Sequence, residues 1–369
     1  MSDMNIKMVD LKNQYLKIKE EIDSAIQEVI DSSQFIMGRQ VSEFERNAAE
    51  YLGCKYTVGC ASGTDALQIA LMALGIKPGD EIITTPFSFV ATTETIALLG
   101  AIPVYADINE KSYNIDVSKI KEKISPKTKA IIPVHLYGQP ADMNSVMEIA
   151  KEYNLKVIED AAQAFGAEYK GKKAGTIGDI GTISFFPSKN LGAFGDAGMV
   201  STNNKNLADK MKMIVTHGSR KKYYYEIPGV NSRLDTIQAA ILNVKMKYIE
   251  QYHDARIKAA NGFNKRFKGI IEAPYVIPEV RHIYHQYTIR VPKRDELREY
   301  LWENGIPSMI YYPVPLHLQE AYKYNYKQGD FPVSEKAAND IISLPMHTEL
   351  TEDQIEYISG KVIDFIKSS

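Results

Sequence analysis

The amino-acid sequence predicts an α/β fold with a mainly parallel sheet, followed by a smaller α+β region. Short apolar segments typical of buried strands alternate with helical patterns up to about residue 245. Strands that are apolar on both faces are typical of parallel sheets covered by helices on both sides. The rest of the chain lacks this alternation, and 369 residues are too many for one ordinary core. We therefore expect a large domain over residues 1–245 and a small C-terminal domain over 246–369.

The order of the elements follows from the spacing of apolar residues. Intervals of three and four between Leu11 and Val29 predict one amphipathic helix. A second helix is predicted from Gly63 to Gly75, because a Gly-Thr-Asp start and a terminal glycine are typical helix boundaries. Strands are predicted at 81–85, 102–106, 130–134, 156–159, 182–186 and 198–201. The C-terminal region is predicted to contain one long helix over 234–267, a strand over 285–291, a helix near 294–304, a strand over 341–344 and a helix from about residue 351.

The composition excludes several classes of function. Hydrophobic residues make up 44% and charged residues 24%, as in ordinary globular proteins. A net charge of −2 gives no basic surface for nucleic acid or anionic lipid, and no apolar run is long enough to cross a membrane. The N-terminus has no signal-peptide pattern, and Cys54 and Cys60 provide neither a disulfide framework nor four metal ligands. We therefore expect a cytoplasmic enzyme that binds no metal, nucleic acid or membrane.

Polar and aromatic residues after the predicted strands are candidates for a ligand site, because open α/β sheets bind ligands at the carboxyl ends of their strands. Gly63 and Thr64 lie where a loop enters a helix, and the free N–H groups of a helix start favour phosphate. The alternative is an ordinary helix N-cap. Phe89 follows the strand over 81–85 and is placed to stack on a flat ligand; packing in the core is the alternative.

Asp160 and Lys189 are the candidates for covalent and acid–base chemistry. Asp160 ends an apolar strand and Lys189 follows one through a Pro-Ser turn, so both are placed to point inward. Each has a plain alternative: Asp160 as a helix cap with Gln163 as a surface amide, and Lys189 as a solvated charge. Their occurrence in order, together with Gly63 and Ser184, has one shared explanation. It is an amine that forms a Schiff base and a carboxylate that holds a protonated ring nitrogen.

Four segments resemble the motifs of the DegT/DnrJ/EryC1/StrS family. They are Ala-Ser-Gly-Thr-Asp-Ala-Leu (61–67), Glu-Asp-Ala-Ala-Gln (159–163), Ser-Phe-Phe-Pro-Ser-Lys (184–189) and Gly-Val-Asn-Ser-Arg-Leu-Asp (229–235). The resemblance extends from about residue 9 to residue 347. Its members are sugar-nucleotide aminotransferases of pyridoxal 5′-phosphate (PLP) fold type I, often in polysaccharide biosynthesis. The resemblance therefore implies a PLP-binding large domain with a mixed, mainly parallel sheet between helices.

The resemblance implies the catalytic roles. Lys189 would hold PLP as a Schiff base and move a proton as general base and acid, which requires a lowered pKa. Asp160 would pair with the protonated pyridine nitrogen. Family members with histidine at the lysine position perform dehydration instead, so the lysine favours transamination.

The remaining cofactor contacts are also implied by the resemblance. Gln163 would contact the ring hydroxyl and Phe89 the ring face. Asn231 would reach the phosphate of the other subunit's cofactor, which implies a homodimer with shared active sites. The phosphate ligands within the chain would be Gly63, Thr64 and Ser184.

The substrates implied by the resemblance are a keto sugar nucleotide and an amino donor, usually L-glutamate. The branch that aminates C3 of a UDP-3-keto-N-acetylhexosaminuronate is most similar, and its uronate would need a cation such as Arg220 or Arg233. A dTDP-3-keto-6-deoxyhexose is the alternative, followed by a 4-keto sugar nucleotide. Each candidate for the substrate pocket also fits a packed or surface position; the candidates are His135, Tyr137, Arg220, Arg233, Tyr312 and His317.

Two other classes of function remain open from the sequence. An NAD-dependent enzyme shares the βα alternation, but Gly192, Gly195 and Gly198 recur at intervals of three and do not form the dinucleotide-binding pattern. A noncatalytic sensor or scaffold with a PLP-enzyme fold is the other alternative. The presence of both Lys189 and Asp160 argues against it.

Overall fold

The computed structural model describes residues 5–368. Its strands, in chain order, are β1 (Tyr56–Cys60), β2 (Glu81–Thr84), β3 (Ile102–Tyr105), β4 (Thr128–Ile131), β5 (Lys156–Asp160), β6 (Glu168–Tyr169), β7 (Lys172–Lys173), β8 (Ile180–Ser184), β9 (Gly198–Thr202), β10 (Ser219–Lys221), β11 (Tyr224–Tyr225), β12 (Val280–Arg281), β13 (Tyr287–Arg290) and β14 (Ile341–Leu344).

The α-helices are α1 (Leu11–Lys17), α2 (Lys19–Ser32), α3 (Arg39–Leu52), α4 (Gly63–Leu74), α5 (Ala91–Leu98), α6 (Met143–Glu152), α7 (Lys205–Ile214), α8 (Thr236–Met246), α9 (Ile249–Phe267), α10 (Arg294–Glu303), α11 (Pro332–Asp340) and α12 (Glu352–Ser368). Short 3-10 helices lie at Val117–Lys119, Lys121–Lys123, Leu136–Gly138 and Leu316–Leu318.

A seven-stranded sheet in the order β1-β9-β8-β5-β4-β2-β3 forms the centre of the fold. β9 pairs antiparallel with both of its neighbours, and the pairs from β8 to β3 are parallel. The predicted α/β class with a mainly parallel sheet is therefore confirmed. Because β2, β4, β5 and β8 run in one direction, the residues that follow them meet at one edge of the sheet.

Consecutive residues of the central strands pack into different cores on the two faces of the sheet. Ile82 and Ile158 belong to a buried cluster that includes residues of α4 and α7, whereas Ile83 and Val157 belong to a cluster with residues of α6. Side chains alternate across a strand, so burial of neighbours on both faces requires helices on both sides. This explains the continuous apolar runs that predicted the parallel sheet.

Two predicted helices are broken in the structure. The helix predicted over 11–29 is interrupted at Ile18, whose φ of −126° and ψ of 22° are not helical. Its N–H closes α1 by a 3.0 Å bond to the Tyr15 carbonyl, and its carbonyl accepts from Ile22 at the start of α2. The prediction over 234–267 is likewise wrong, because Lys247 and Tyr248 separate α8 from α9. The apolar spacing continues across both breaks, which is why it did not reveal them.

The C-terminal region has its own small sheet and core. β13 pairs antiparallel with β14, and side chains of α9, α10 and α12 cover the pair. The strand and helix predicted at 285–291 and 294–304 are confirmed as β13 and α10, while α11 and the short strands β6, β7 and β10 to β12 were not predicted. The domain boundary at residues 245/246 stays a prediction. No helix within residues 5–368 is long and apolar enough to span a membrane.

Candidate active site

A cavity of about 490 Å³ lies at the edge of the sheet where β2, β5 and β8 end. It brings together residues that are up to about 250 positions apart in the chain. Seven of the eight predicted cofactor residues line it: Gly63, Thr64, Phe89, Asp160, Gln163, Ser184 and Lys189. The cavity also includes Tyr312 from the predicted substrate residues.

The start of α4 forms one end of the cavity. Ser62 is the N-cap, and its hydroxyl accepts a hydrogen bond from the Asp65 N–H at 3.0 Å. No bond to the preceding N–H groups, those of Gly63 and Thr64, is found within residues 5–368. A Cβ on Gly63 would lie only 2.5 Å from the Cβ of Ser184. Glycine thus allows the helix start to approach the end of β8, where two free N–H groups and a hydroxyl suit an anion such as a phosphate.

Asp160 is buried at the end of β5 and held by two donors. The Thr92 hydroxyl of α5 donates to its Oδ2 at 2.7 Å, and the Ala162 N–H donates to its Oδ1 at 3.2 Å. Burial raises the pKa of this carboxyl, while the two donors and the charge of Lys189 act in the opposite direction. The carboxylate is therefore held in a fixed orientation at a low-dielectric cavity, where a cationic partner would stabilise its charged form.

Gln163 is fixed by both of its side-chain groups. Its Oε1 accepts a 2.7 Å bond from the Tyr137 N–H, and its Nε2 donates to the Tyr312 hydroxyl at 3.1 Å. The Tyr137 hydroxyl in turn donates to the Tyr311 carbonyl. Tyr137 itself does not line the cavity, but it holds Gln163 and Tyr311, which do.

Lys189 follows β8 through the turn that the sequence indicated, and its N–H donates to the Phe186 carbonyl at 2.8 Å. Burial lowers the pKa of its amine to about 8, and the Asp160 carboxylate partly opposes that shift. A fraction of the amine is thus uncharged near neutral pH, as a nucleophile requires.

No group of three or more His, Cys, Asp or Glu residues within 5–368 is arranged to hold a metal ion.

Phe89 and its neighbour Phe87 have different environments. Phe87 is fully buried, whereas Phe89 is 55% exposed and lines the cavity. The Phe89 ring lies 6.3 Å from that of Tyr312. Core packing, the alternative considered for this segment, therefore describes Phe87 and not Phe89.

The two predicted substrate histidines also lie outside the cavity. His135 is fully buried; its Nε2 lies 2.9 Å from Glu159 Oε2 and its Nδ1 accepts from the Ala141 N–H at 3.1 Å. His317 is also fully buried, with its Nε2 3.0 Å from Glu335. A single sequence does not distinguish a histidine with internal partners from one that faces a ligand. The geometry of this chain gives neither residue a place in the cavity.

Arg220 and Arg233 line a different cavity, of about 620 Å³. Arg220 belongs to the β10–β11 hairpin, whose tyrosines 223–225 are strongly exposed. Asn231 is exposed as well, but the next residue, Ser232, is buried and donates a 2.7 Å bond to Asp65 of α4. These candidates thus lie on a separate, accessible surface of the same chain.

Several residues of the cavity were not identified from the sequence. Asp196, His285, Gln286 and Tyr311 line it, and Thr92 supports it from behind. His285 and Gln286 begin the segment that leads into β13, so only the packing of the C-terminal region against the sheet brings them here. A His-Gln-Tyr sequence at a strand start carries no signal of that arrangement.

Solved structures similar to this chain include aminotransferases. The Streptomyces venezuelae protein DesV, solved in complex with a ketimine intermediate, is 37% identical with a TM-score of 0.96 over 98% of this chain and 99% of its own. NtdA from Bacillus subtilis, solved with bound cofactor PMP, is 36% identical with a TM-score of 0.90 over 95% of this chain and 82% of its own. The fold and the cavity thus define a fold type I aminotransferase.

The family model of the DegT/DnrJ/EryC1/StrS aminotransferase family matches residues 16–363, and this chain belongs to that family. A Geobacillus stearothermophilus relative named pleiotropic regulatory protein is 48% identical over 99% of both chains. UDP-2-acetamido-2-deoxy-3-oxo-D-glucuronate aminotransferase from Pseudomonas aeruginosa is 46% identical over 96% of this chain and 98% of its own. dTDP-3-amino-3,6-dideoxy-alpha-D-galactopyranose transaminase from Aneurinibacillus thermoaerophilus is 42% identical over 96% of this chain and 97% of its own.

Proposed function

We propose that this aminotransferase uses PLP to transfer an amino group from L-glutamate to C3 of a UDP-3-keto-N-acetylhexosaminuronate. The observation that carries the PLP assignment is the convergence of Lys189, Asp160 and Gln163 with the start of α4 on one cavity. The relative from P. aeruginosa, named for a UDP-linked 3-oxo-glucuronate, supports the choice of sugar.

The residues of the cavity fit the chemistry of this cofactor. The free N–H groups of Gly63 and Thr64 with the Ser184 hydroxyl suit its phosphate, and a side chain at position 63 would collide with Ser184. The buried Asp160 carboxylate suits a protonated ring nitrogen, whose positive charge offsets the cost of burial. When bound, PLP supplies an electron sink for charge that develops on the amine-bearing carbon.

Lys189 and Asp160 then have distinct tasks. With a pKa of about 8, the Lys189 amine is able to hold the cofactor covalently and, once displaced, to take a proton from the amine-bearing carbon and return it through Nζ. Asp160 keeps the proton on the ring nitrogen, and Thr92 keeps Asp160 oriented. Gln163 offers an amide that Tyr137 and Tyr312 hold in place.

The site we propose is completed by a second copy of the chain. Among the described residues that line the cavity, Lys189 is the only lysine or arginine, so a uronate carboxylate and a pyrophosphate need further cations. Arg220, Arg233 and Asn231 lie elsewhere on the surface, where a partner subunit is able to use them. We therefore propose a homodimer in which these three residues reach the partner's cavity.

Co-expression of two inactive variants tests the shared site. Lys189→Ala inactivates one cavity, and Arg233→Ala inactivates the cavity of the partner subunit. Mixed dimers of C2 symmetry then keep one intact site, and random pairing should restore about a quarter of the wild-type activity. Mixtures that stay inactive, although mixed dimers are isolated by two different affinity tags, would exclude the shared site.

A dTDP-3-keto-6-deoxyhexose is the second candidate substrate, followed by a 4-keto sugar nucleotide. The relative from A. thermoaerophilus, at 42% identity, is named for a dTDP-linked 3-amino sugar. A sugar without a carboxylate would not need the additional cation that we assign to Arg220 or Arg233.

Two measurements test the proposal in order. Purified protein with PLP should show a visible absorbance band that borohydride bleaches; without that band, the PLP assignment is wrong. Glutamate-dependent amination of UDP- and dTDP-linked 3- and 4-keto sugars, followed by mass spectrometry, then identifies the acceptor. A product formed only from dTDP-linked or 4-keto sugars would overturn the choice of a UDP-3-keto uronate while leaving the enzyme class intact.

A further inference from the structure

A buried asparagine directly after Lys189 connects three parts of the fold. Asn190 is 4% exposed, and its side chain lies 3.3 Å from His285 Nδ1, 3.3 Å from His253 Nδ1 and 3.2 Å from the Ile283 carbonyl. His253 belongs to α9, whereas Ile283 and His285 lie in the segment before β13. This one amide therefore joins the lysine segment to the C-terminal wall of the cavity.

The carbonyl contact determines which way the Asn190 amide points. A backbone carbonyl only accepts hydrogen bonds, so the atom next to Ile283 must be the donor Nδ2. Oδ1 then faces His285 Nδ1, which must carry a proton in order to donate to it. The same orientation makes Nδ2 donate to His253 Nδ1, so the proton of an uncharged His253 ring lies on Nε2.

The surroundings of His285 favour an uncharged ring. Its Nε2 lies 3.5 Å from the side-chain amide of Gln286. Arg256 holds the backbone of the segment by donating to the carbonyls of Tyr284, at 3.2 Å, and of His285, at 3.3 Å. Burial lowers the pKa of His285 well below its ordinary value, and the positive charges of Lys189 and Arg256 act in the same direction.

We propose that Asn190 is a positioning residue that fixes His285 as an uncharged imidazole protonated on Nδ1. The wall beside Lys189 thereby presents a ring nitrogen, Nε2, that only accepts hydrogen bonds. Such an acceptor holds an N–H group without placing a second positive charge next to the lysine amine, which suits a site that transfers an amino group. This catalytic consequence rests on the proposed function, but the protonation of His285 does not.

The tautomer is measured in the protein without PLP. Labelling the histidines with ¹⁵N and recording two-bond ¹H–¹⁵N correlations distinguishes Nδ1–H, Nε2–H and charged rings, and His285→Gln identifies the signals of that ring. We expect His285 as the uncharged Nδ1–H form and His253 as the Nε2–H form between pH 6 and pH 8. A His285 ring that is charged or carries its proton on Nε2 would overturn the proposal.

Asn190→Ala tests the role of the amide, with Asn243→Ala as the matched control. Asn243 is another inward-facing asparagine, which donates to the Gln40 carbonyl at 2.9 Å and accepts from Asn47 at 3.0 Å. Asn190→Ala should remove the single Nδ1–H form of His285, whereas Asn243→Ala should keep it. An unchanged His285 signal in the folded Asn190→Ala protein would refute the positioning role.

The kinetic readout follows from the same pair of variants. Asn190→Ala should lower kcat by about tenfold, as small misplacements of reacting groups do, and leave KM within about twofold. Borohydride-trapped PLP should remain at the wild-type level. Equal kcat values for Asn190→Ala and Asn243→Ala would contradict the catalytic consequence. Missing turnover in a wild-type protein with the expected His285 tautomer would instead indicate that the proposed function is wrong.

Discussion

Replacing Thr92 by valine removes one hydrogen bond from Asp160 and nearly preserves the side-chain volume. The Thr92 hydroxyl donates to Asp160 Oδ2 at 2.7 Å, and both residues are buried. Hydrogen bonds to charged groups contribute about 1.5–3 kcal/mol, and one pKa unit corresponds to about 1.4 kcal/mol. Burial already raises the pKa of Asp160, and Thr92 is among the groups that oppose the shift. Without the hydroxyl, the pKa of Asp160 should rise further, by about one to two units.

Activity that depends on the Asp160 carboxylate is present above its pKa and lost as the pH falls through it. The acid limb of the pH profile of kcat/KM should therefore move to higher pH by about one to two units in Thr92→Val. The assay is the loss of the visible band of PLP-loaded enzyme on addition of glutamate, recorded from pH 5 to pH 9.

Thr93→Val is the matched control for this prediction. Thr93 is a fully buried neighbour on the same helix, and its hydroxyl accepts a 3.3 Å bond from the Tyr105 hydroxyl, whereas the side chain of Asp160 is held by Thr92 and Ala162. Its acid limb should coincide with that of the wild type. Identical pH profiles for the two variants would refute the assignment of Thr92 as the residue that keeps Asp160 ionised.

Four further predictions concern the cavity. Lys189→Ala should fold but lose both turnover and the band that borohydride bleaches, and retained amination in this variant would exclude the role of Lys189. Lys245→Ala is the control and should keep the band, because the buried Lys245 amine donates to the Gly192 carbonyl and does not line the cavity. Asp160→Asn should bind PLP yet lose most activity, since a neutral amide no longer favours a protonated ring nitrogen, and unchanged turnover would remove Asp160 from the mechanism. Gly63→Ala should weaken PLP binding at least about tenfold in a fluorescence titration, because the added Cβ would lie 2.5 Å from the Cβ of Ser184. Wild-type affinity in this variant would contradict the assignment of the phosphate site. The rate of PLP capture by apoprotein should rise with pH and reach half its maximum near pH 8, since the lowered pKa leaves the Lys189 amine uncharged above that value. A midpoint near the ordinary pKa of lysine would contradict the lowered pKa of Lys189.

The sequence was sufficient where local chemistry determines the structure. The start of α4 at Gly63 and its end at Gly75 follow from capping, and six of the seven strands of the sheet follow from continuous apolar runs, whereas the edge strand β1 was not predicted. The convergence of Asp160 and Lys189 on one edge follows in turn from parallel strands.

What the sequence did not reveal depends on tertiary packing. The break at Ile18 keeps the apolar spacing on both sides, so periodicity has no signal for it. His135 and His285 are both buried histidines near strands, yet one is enclosed by Glu159 and Ala141 while the other lines the cavity. That difference arises from which segments pack together, and a single sequence does not contain it in readable form.

The hydrogen-bond partners of Glu159 also favour the native register of β5 in the sheet. Its carboxylate accepts backbone N–H bonds from Gly175 at 2.9 Å, Ile177 at 2.6 Å and Gly178 at 2.7 Å. A slip of β5 by one residue would exchange Glu159 and Asp160 between the two faces of the sheet. Each donor left unsatisfied costs about 1–3 kcal/mol, in addition to the exchange of apolar side chains between cores. The native register of β5 thus also determines that Asp160, and not the adjacent Glu159, faces the cavity.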